Sequence, residues 1–384
     1  MKGMKPDLLL PFMGLSFSLL LHSDLYGQAK EYTPQHPMSA DAIPKADVIT
    51  QVLPDRRVIF RLKAPDAHAV SVLVGFSNPP TVMAPGYPLK KNDQGLWTVT
   101  VGPLNPDLYE IQFDVDGLMI ADPGSSMAKP QRKVNTSLLE IPGDPPTFLE
   151  TRDVPHGSIR AEVYPSKVLG VTRPLLVYTP PGYDTASKQT YPVLFLYHGY
   201  GDTVYSWVTE GRVQQILDNA IADGRAVPMV VVIPETHALD PDKSPRTEIG
   251  HYLNENVQAE DRELVEDIMP FVNARYRIRT DGKDQALAGL SMGGFQTVYS
   301  GFIHPDQFSA LGVFSRHFRR TVAADTIVES PGKDQCQHFL SLRHNGKRRS
   351  GHRRADEGVH RALKPIEDSV YPDQIHSMKS GARP

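Results

Sequence analysis

One cysteine, Cys336, stands in a chain of 384 residues. A lone thiol can form no internal disulfide, and without a C-x-x-C pair there is no zinc-type cysteine cluster, so stability has to come from packing. Neither sign of charge dominates. The 41 Lys and Arg face 44 Asp and Glu, a formal charge of −3. That excludes a strong electrostatic footprint for nucleic acid as the main business of the whole chain. No segment beyond the first thirty residues is apolar enough to cross a bilayer. Proline, by contrast, is plentiful: 34 of 384 residues, well above the usual share of about 5%. This favours a β-rich, loop-rich protein over a helical bundle. The length suits two ordinary domains or one large one.

The N-terminus has its own grammar. Lys2 and Lys5 precede an apolar stretch from Leu8 to Leu21, and Gly27-Gln28-Ala29 then offers small residues around a cleavage point. A positive end, a short apolar core and a small-x-small exit are the order of a secretory signal peptide, here residues 1–29. With Pro11 inside it, the stretch is too short to span about 30 Å of hydrocarbon as a straight helix. The expectation is export with cleavage, the mature chain starting near Gln28 or Lys30.

From about Val52 to Pro142 the pattern has period two. Tyr109, Ile111, Phe113 and Val115 alternate with Glu110, Gln112, Asp114 and Asp116, and Val58, Phe60 and Leu62 do the same upstream. Several such strands read as an antiparallel β-sandwich with one wet face per sheet, placed at residues 30–145. From about Ser158 the pattern changes. Leu175–Tyr178, Val193–Tyr197, Met229–Ile233 and Ala286–Ala288 are short apolar runs of the kind that buried parallel strands make. Amphipathic stripes lie between them: Val213, Ile216, Leu217, Ala220 and Ile221, then Leu264, Val265, Ile268, Phe271 and Val272. Alternating strands and helices predict a doubly wound α/β domain over residues 150–315. Residues 316–384 break the pattern. Lys347-Arg348-Arg349 and Arg353-Arg354 are dense basic spots, six of the 14 histidines fall there, and no convincing buried strand is found. A tail turned basic and aperiodic reads as disordered or as an out-of-frame stretch of sequence.

Gly289-Leu290-Ser291-Met292-Gly293 is a G-x-S-x-G pentapeptide between the apolar strand Ala286-Leu287-Ala288 and a helix-compatible run, Gly294 to Phe302. Strand, sharp turn and helix are the setting of a nucleophile elbow, which pushes the serine hydroxyl out above a sheet and aims the next backbone N–H, that of Met292, at a developing oxyanion. The alternative is a glycine-rich turn whose serine caps the helix. His198-Gly199-Tyr200-Gly201-Asp202 directly follows the strand Val193–Tyr197, and the N–H of Tyr200 is the candidate second oxyanion donor. His198 itself precedes the nucleophile and reads as structural.

Tyr178-Thr179-Pro180-Pro181-Gly182-Tyr183, Pro192-Val193-Leu194 through His198-Gly199, Pro228-Met229-Val230-Val231, Asp267-Ile268-Met269-Pro270, Tyr276-Arg277 and Ala288-Gly289-Leu290-Ser291-Met292-Gly293-Gly294 occur in order. Together they resemble the esterase D branch of the α/β-hydrolases, with the feruloyl and acetylxylan esterases of carbohydrate esterase family one. Arg61-Leu62-Lys63-Ala64-Pro65 and Trp97 to Asp122-Pro123 are similar to the immunoglobulin-like early-set sandwich fused before such enzymes and related to carbohydrate-binding modules. The resemblance covers about residues 50 to 315. It implies Ser291 as nucleophile, with Met292 and Tyr200 lending their N–H groups. In this fold the acid and the histidine follow the serine. The family's glycine-then-aspartate turn and Gly-His-x-Trp context are both missing here. Asp356 with His376 is the pair near the expected spacing, with Asp334, Glu357 and His360 as substitutes.

Two further residues invite a substrate role. Trp207 could pave a sugar or aryl subsite or fill the core, and Glu235 could touch substrate at the rim or sit solvated in its loop. The reading is an exported serine esterase acting on feruloyl or acetyl esters of plant cell-wall polysaccharide of the xylan type, with no metal or organic cofactor and no nucleic-acid partner. Its rivals are a siderophore esterase of the enterochelin type and a catalytically impaired carbohydrate-binding protein.

Overall fold

In the computed structural model of the protein, residues 50–75, 86–132, 135–186, 188–243, 249–314 and 339–341 are described, the last three by backbone alone. The first half begins with β1 (Gln51–Val52), β2 (Val58–Lys63), β3 (Val70–Gly75), β4 (Gly86–Pro88) and β5 (Lys90–Lys91). It continues with β6 (Leu96–Val101), β7 (Asp107–Val115), β8 (Leu118–Ile120), β9 (Ala128–Lys129) and β10 (Thr136–Ile141). These strands make two antiparallel sheets, ordered β1-β2-β6-β5 and β4-β3-β7-β10-β9, with β8 beside β7. Alternate residues of each sheet meet in one core: Val58, Phe60 and Leu62 from the first, Val70, Val72, Ile111 and Phe113 from the second. The period-two pattern is the direct cause, because successive side chains of a strand leave on opposite faces.

The expected wet face of the second sheet is not wet. Glu110 and Gln112 of β7 are buried, as are Asp107 and Lys129. Leu108 and Leu138 explain why: they join a core cluster with Leu176, Leu194, Trp207 and Ile216 of the second half. This sheet is therefore covered on both sides, and its polar residues face another part of the protein instead of solvent.

The second half is built on one seven-stranded sheet. Its strands are β11 (Ser158–Ser166), β12 (Val171–Thr179), β13 (Val193–Tyr197), β14 (Val230–Pro234), β15 (Gln285–Leu290), β16 (Ala310–Phe314) and β17 (Phe339–Ser341), in spatial order β11-β12-β14-β13-β15-β16-β17. The β11, β12 and β14 pairings are antiparallel; the rest are parallel. β13 sits at the centre, and its residues split between the two faces. Leu194 and Leu196 join the cluster on one side, Val193, Phe195 and Tyr197 the cluster on the other. Each fully buried side chain of this size contributes roughly 1.5–3 kcal/mol. Contrary to the reading of the tail, Phe339–Ser341 pairs in parallel with Leu311–Val313; a run of three residues shows no period by which sequence could detect it.

Helices lie on both faces, as the doubly wound pattern requires. α1 (Ser206–Thr209) and α2 (Val213–Ala222) connect β13 to β14, and α5 (Met292–Ile303) follows β15. Between β14 and β15 runs a longer element: α3 (Ile249–Glu263), a π-turn over Leu264–Ile268 and α4 (Met269–Arg275). The stripe from Leu264 to Val272 is therefore its C-terminal part only. No helix among the described residues is long and apolar enough to cross a membrane.

One buried acid on α3 gives a pH-dependent expectation. Glu260 is fully buried. Burial pushes its pKa well above 4.5, outweighing the Tyr197 hydroxyl and, more weakly, Arg173, which favour its charged form; Asp261 and Glu263 add to the push. The folded state then keeps a proton that the unfolded chain releases, so this group's contribution to stability is complete below about pH 4.5 and declines as pH rises toward the folded pKa. Glu260→Gln should flatten that decline and raise stability at pH 8 relative to pH 5. Urea unfolding at both values checks it, and a variant that kept the wild-type slope would show that Glu260 is not the titrating group.

Candidate active site

The sheet order creates the site. From β13 the chain moves to β14 on one side and then returns across β13 to β15 on the other, so the carboxyl ends of β13 and β15 lie side by side, with Tyr197 opposite Gly289. A reversal of this kind opens a crevice where ligands bind in open α/β sheets. Two turns flank it: residues 198–202 after β13, and Ser291 after β15. A Cβ built on Gly199 would lie 3.7 Å from the Ser291 Cβ.

Ser291 is exposed, with its backbone at φ 53° and ψ −109°. This is a strained conformation for a residue with a side chain, of the kind concentrated at functional sites. Its N–H donates to the Phe314 carbonyl at 2.9 Å, and its own carbonyl accepts the Phe295 N–H at 3.1 Å. A trans peptide points its C=O and N–H in opposite directions. The Ser291 carbonyl runs along α5, so the Met292 N–H leaves at the helix N-terminus, where the helix dipole favours negative charge. The same reasoning applies to the other turn. The Gly199 carbonyl accepts the His198 Nδ1–H at 2.9 Å and the Asp202 N–H at 3.1 Å, both on the inner side. The Tyr200 N–H of that same peptide is turned the opposite way.

A buried polar network holds this turn. His198 is buried, and its Nε2 lies 3.0 Å from Glu235 Oε1. Burial pulls the His198 pKa down, but the Glu235 carboxylate outweighs it and the net shift is upward. Against the upward push of burial, the His198 charge holds Glu235 at about 2. Glu235 also accepts the Val204 N–H at 3.2 Å and the His237 N–H at 3.3 Å. His237 donates from Nε2 to the Tyr200 carbonyl at 2.9 Å and accepts the Tyr252 hydroxyl at Nδ1. Burial, then the His198 charge, lowers the His237 pKa to about 4, so its ring is neutral above that pH. From below, Arg173 donates to the carbonyls of His237 (2.6 Å) and Glu235 (2.5 Å) while paired with Glu263.

His198, Glu235 and His237 bring ligand-type atoms within 4.8 Å of one another. All four ring nitrogens already have protein partners, however, which fits a hydrogen-bond network better than a metal centre.

The site residues expected from sequence meet different fates. Ser291, Met292 and Tyr200 are brought to one crevice. Trp207 is not available to pave a subsite: it is 3% exposed, donates Nε1–H to the Tyr197 carbonyl at 2.9 Å and packs edge-on against Phe314. Glu235 is no solvated rim residue either, being committed to His198 and to two backbone amides. Asp356 and His376, with Asp334, Glu357 and His360, lie outside the described residues. Sequence reasoning missed the roles of Arg173, Asp202 and Tyr252. Only Arg173, a charge inside an apolar strand, left a signal that could have been followed.

Comparison with known proteins shows similarity to esterases. Residues 166–347 match the family model described as "Putative esterase". The match runs past residue 315, where the recognisable motifs stop. An endo-1,4-β-xylanase/feruloyl esterase of Xylanibacter ruminicola is 32% identical over 261 residues, 67% of this chain and 34% of that one. The chain thus spans about a third of that relative's length. A CE1 ferulic acid esterase from Anaeromyces mucronatus, solved with ferulic acid, is 29% identical over 43% of this chain and 60% of its own, with a TM-score of 0.39. The enterochelin esterase of Shigella flexneri shares the fold: TM-score 0.51 and 15% identity over 72% of this chain and 75% of that one. From residue 166 to residue 347 this chain therefore carries the sequence of the esterase family, as its motifs implied.

Proposed function

We propose that the protein is a serine carboxylic-ester hydrolase whose nucleophile is Ser291, with the N–H groups of Met292 and Tyr200 as its oxyanion hole. The observation that carries this reading is the exposed Ser291 on a strained strand-to-helix turn, beside a second turn whose inner carbonyl is held by His198. Ser291 Oγ attacks the ester carbonyl carbon, and the carbonyl electron pair moves onto oxygen, where the two amides receive it. The hydroxyl proton passes to a histidine, His376 oriented by Asp356, and then to the departing alcohol. Water repeats the sequence on the acyl-serine and frees the acid.

We read residues 1–29 as a cleaved signal peptide and the protein as exported. Residues 30–145 are read as an immunoglobulin-like, early-set domain of carbohydrate-binding-module type, and residues 150–315 as the catalytic α/β-hydrolase domain. Feruloyl or acetyl esters on xylan-type polysaccharide are the proposed substrates, supported by the named activity of the Xylanibacter ruminicola relative. An enterochelin-type siderophore ester is the second reading, favoured by the fold shared with the Shigella flexneri enzyme.

Purified protein incubated with p-nitrophenyl acetate, methyl ferulate and enterochelin, beside Ser291→Ala, tests these readings. Turnover that the substitution abolishes supports the hydrolase, and the preferred ester separates the two substrate classes. Equal, near-background rates with retained xylan binding would replace the enzyme by a binding protein.

A further inference from the structure

A charge is buried between the two halves of the molecule. Lys129, on β9, has 6% of its side chain exposed, and its ammonium lies among three carboxyl groups. Glu110 of β7 is at 2.5 Å and Asp202 Oδ1 at 3.2 Å, and Glu210, just past α1, is the third. Glu110 belongs to the same sheet as the lysine, whereas Asp202 and Glu210 belong to the α/β half. The other oxygen of Asp202, Oδ2, accepts the Gly199 N–H at 3.1 Å. One carboxylate thus connects a lysine of the antiparallel half to the turn that presents the Tyr200 amide.

The next residues grip the same turn. The Arg132 N–H donates to the Gly201 carbonyl at 3.1 Å, and its Nη1 donates to the Tyr200 carbonyl at 3.4 Å. Its guanidinium stands 4.9 Å from the centre of the Tyr200 ring. The Thr203 hydroxyl donates to the Pro130 carbonyl at 3.4 Å. The segment 129–132 therefore contacts most of the stretch from Gly199 to Thr203.

We infer that residues 129–132 are a positioning element for the turn 199–202, with Lys129 acting through Asp202, so that the antiparallel half is needed for turnover itself. The inference rests on the hydrolase reading above. Burying an ammonium among carboxylates brings little net stability, because desolvation offsets the attraction, and an apolar side chain of similar size would often serve as well. What the charge supplies here is direction: it fixes Asp202, and Asp202 fixes the Gly199 amide. The Asp202 N–H to Gly199 carbonyl bond closes turn 199–202, and the contacts from residues 129–132 fix how the closed turn is oriented on the sheet. A displacement of about 1 Å at an oriented group can cost about 10²-fold in rate.

The test replaces Lys129 by methionine, of similar length and uncharged, in the full chain. With p-nitrophenyl acetate, kcat should fall by about 10–100-fold while KM stays within about twofold, because the turn meets the oxyanion only in the transition state. Amide hydrogen exchange in residues 197–204 should quicken. Asp202→Asn, which keeps an acceptor for Gly199 but loses the attraction to Lys129, should act in the same direction, and it serves if the methionine variant does not fold. Glu140→Gln is the control. It removes the 2.8 Å Arg212–Glu140 ion pair, which also joins the two halves but lies away from the turn, and should lower Tm with kcat unchanged. A folded Lys129→Met with wild-type kcat and wild-type exchange overturns the inference. So does a Glu140→Gln variant whose kcat falls equally. If the wild-type protein shows no Ser291-dependent turnover, the hydrolase reading falls, and the exchange measurement still decides whether Lys129 holds the turn.

Discussion

Ser291→Gly should give a protein that melts higher than the wild type and hydrolyses nothing. The backbone at this position has φ 53° and ψ −109°, which a side chain tolerates only under strain. Strain of this kind costs on the order of 1–3 kcal/mol, and glycine relieves it. Against that stands the extra freedom of glycine in the unfolded chain, about 0.5–1 kcal/mol. The balance is a gain of about 1 kcal/mol, a rise of roughly 2–4 °C in Tm. Ser291→Ala keeps the Cβ and hence the strain, so its Tm should match the wild type. Loss of a nucleophilic serine lowers kcat by as much as ~10⁶-fold, and both variants should fall toward that level. Calorimetry on the three proteins separates the two effects. A glycine variant melting at or below the alanine variant would mean that the turn is not strained, and retained hydrolysis in either would remove Ser291 from the chemistry.

Glycine to alanine at positions 289 and 293 is the second large effect, and its sign is the informative part. Gly293 and Gly294 both lie inside α5, where alanine is favoured by about 1 kcal/mol if nothing else intervenes. At Gly293 a Cβ would stand 2.7 Å from the His198 carbonyl oxygen, the Tyr197 carbonyl oxygen and the Tyr197 Cβ. At Gly289 it would stand 2.3 Å from the backbone carbonyl of Gly293. Backbone at the centre of a buried sheet cannot step aside, so each change should cost 1–3 kcal/mol or more despite the helix preference. At Gly294 the nearest atoms are a Val313 methyl at 3.1 Å and the Gly289 carbonyl oxygen at 3.2 Å. Gly294→Ala should therefore be far milder. Chemical denaturation of the three variants gives the ranking, and a Gly293→Ala protein as stable as Gly294→Ala would contradict the close approach of α5 to β13. Because the obstruction at Gly293 is the His198 carbonyl itself, that variant should also lose activity through movement of the Gly199 turn.

Local grammar carried much of this molecule. Period-two alternation located β2 and β7, because it follows directly from the geometry of a strand. The apolar runs at Val193–Tyr197 and Ala286–Ala288 became the central strands, since only a sheet covered on both faces can bury every residue of such a run. The pentapeptide around Ser291 announced its turn because strand, glycines and helix stand in immediate succession. Nothing comparable marked Trp207, whose single side chain reads equally well as a platform or as core. Its burial depends on Phe314 and the Tyr197 carbonyl, neither of which is its sequence neighbour.

By itself, then, the amino-acid order settled that β2, β7, β13, β14 and β15 are strands, where the strand-to-helix turn lies and which serine sits on it, for these depend on residues within a few positions of one another. Tertiary structure alone decided that Glu110 and Gln112 turn away from water, that Glu235 pairs with His198, and that a lysine of one half steadies a turn of the other. Arg132 and Tyr200 are 68 residues apart. No spacing rule links them; they meet because the antiparallel sheet has a second apolar stripe, Leu108 with Leu138, and burying that stripe against the α/β half carries Lys129 and Arg132 to the rim of the crevice.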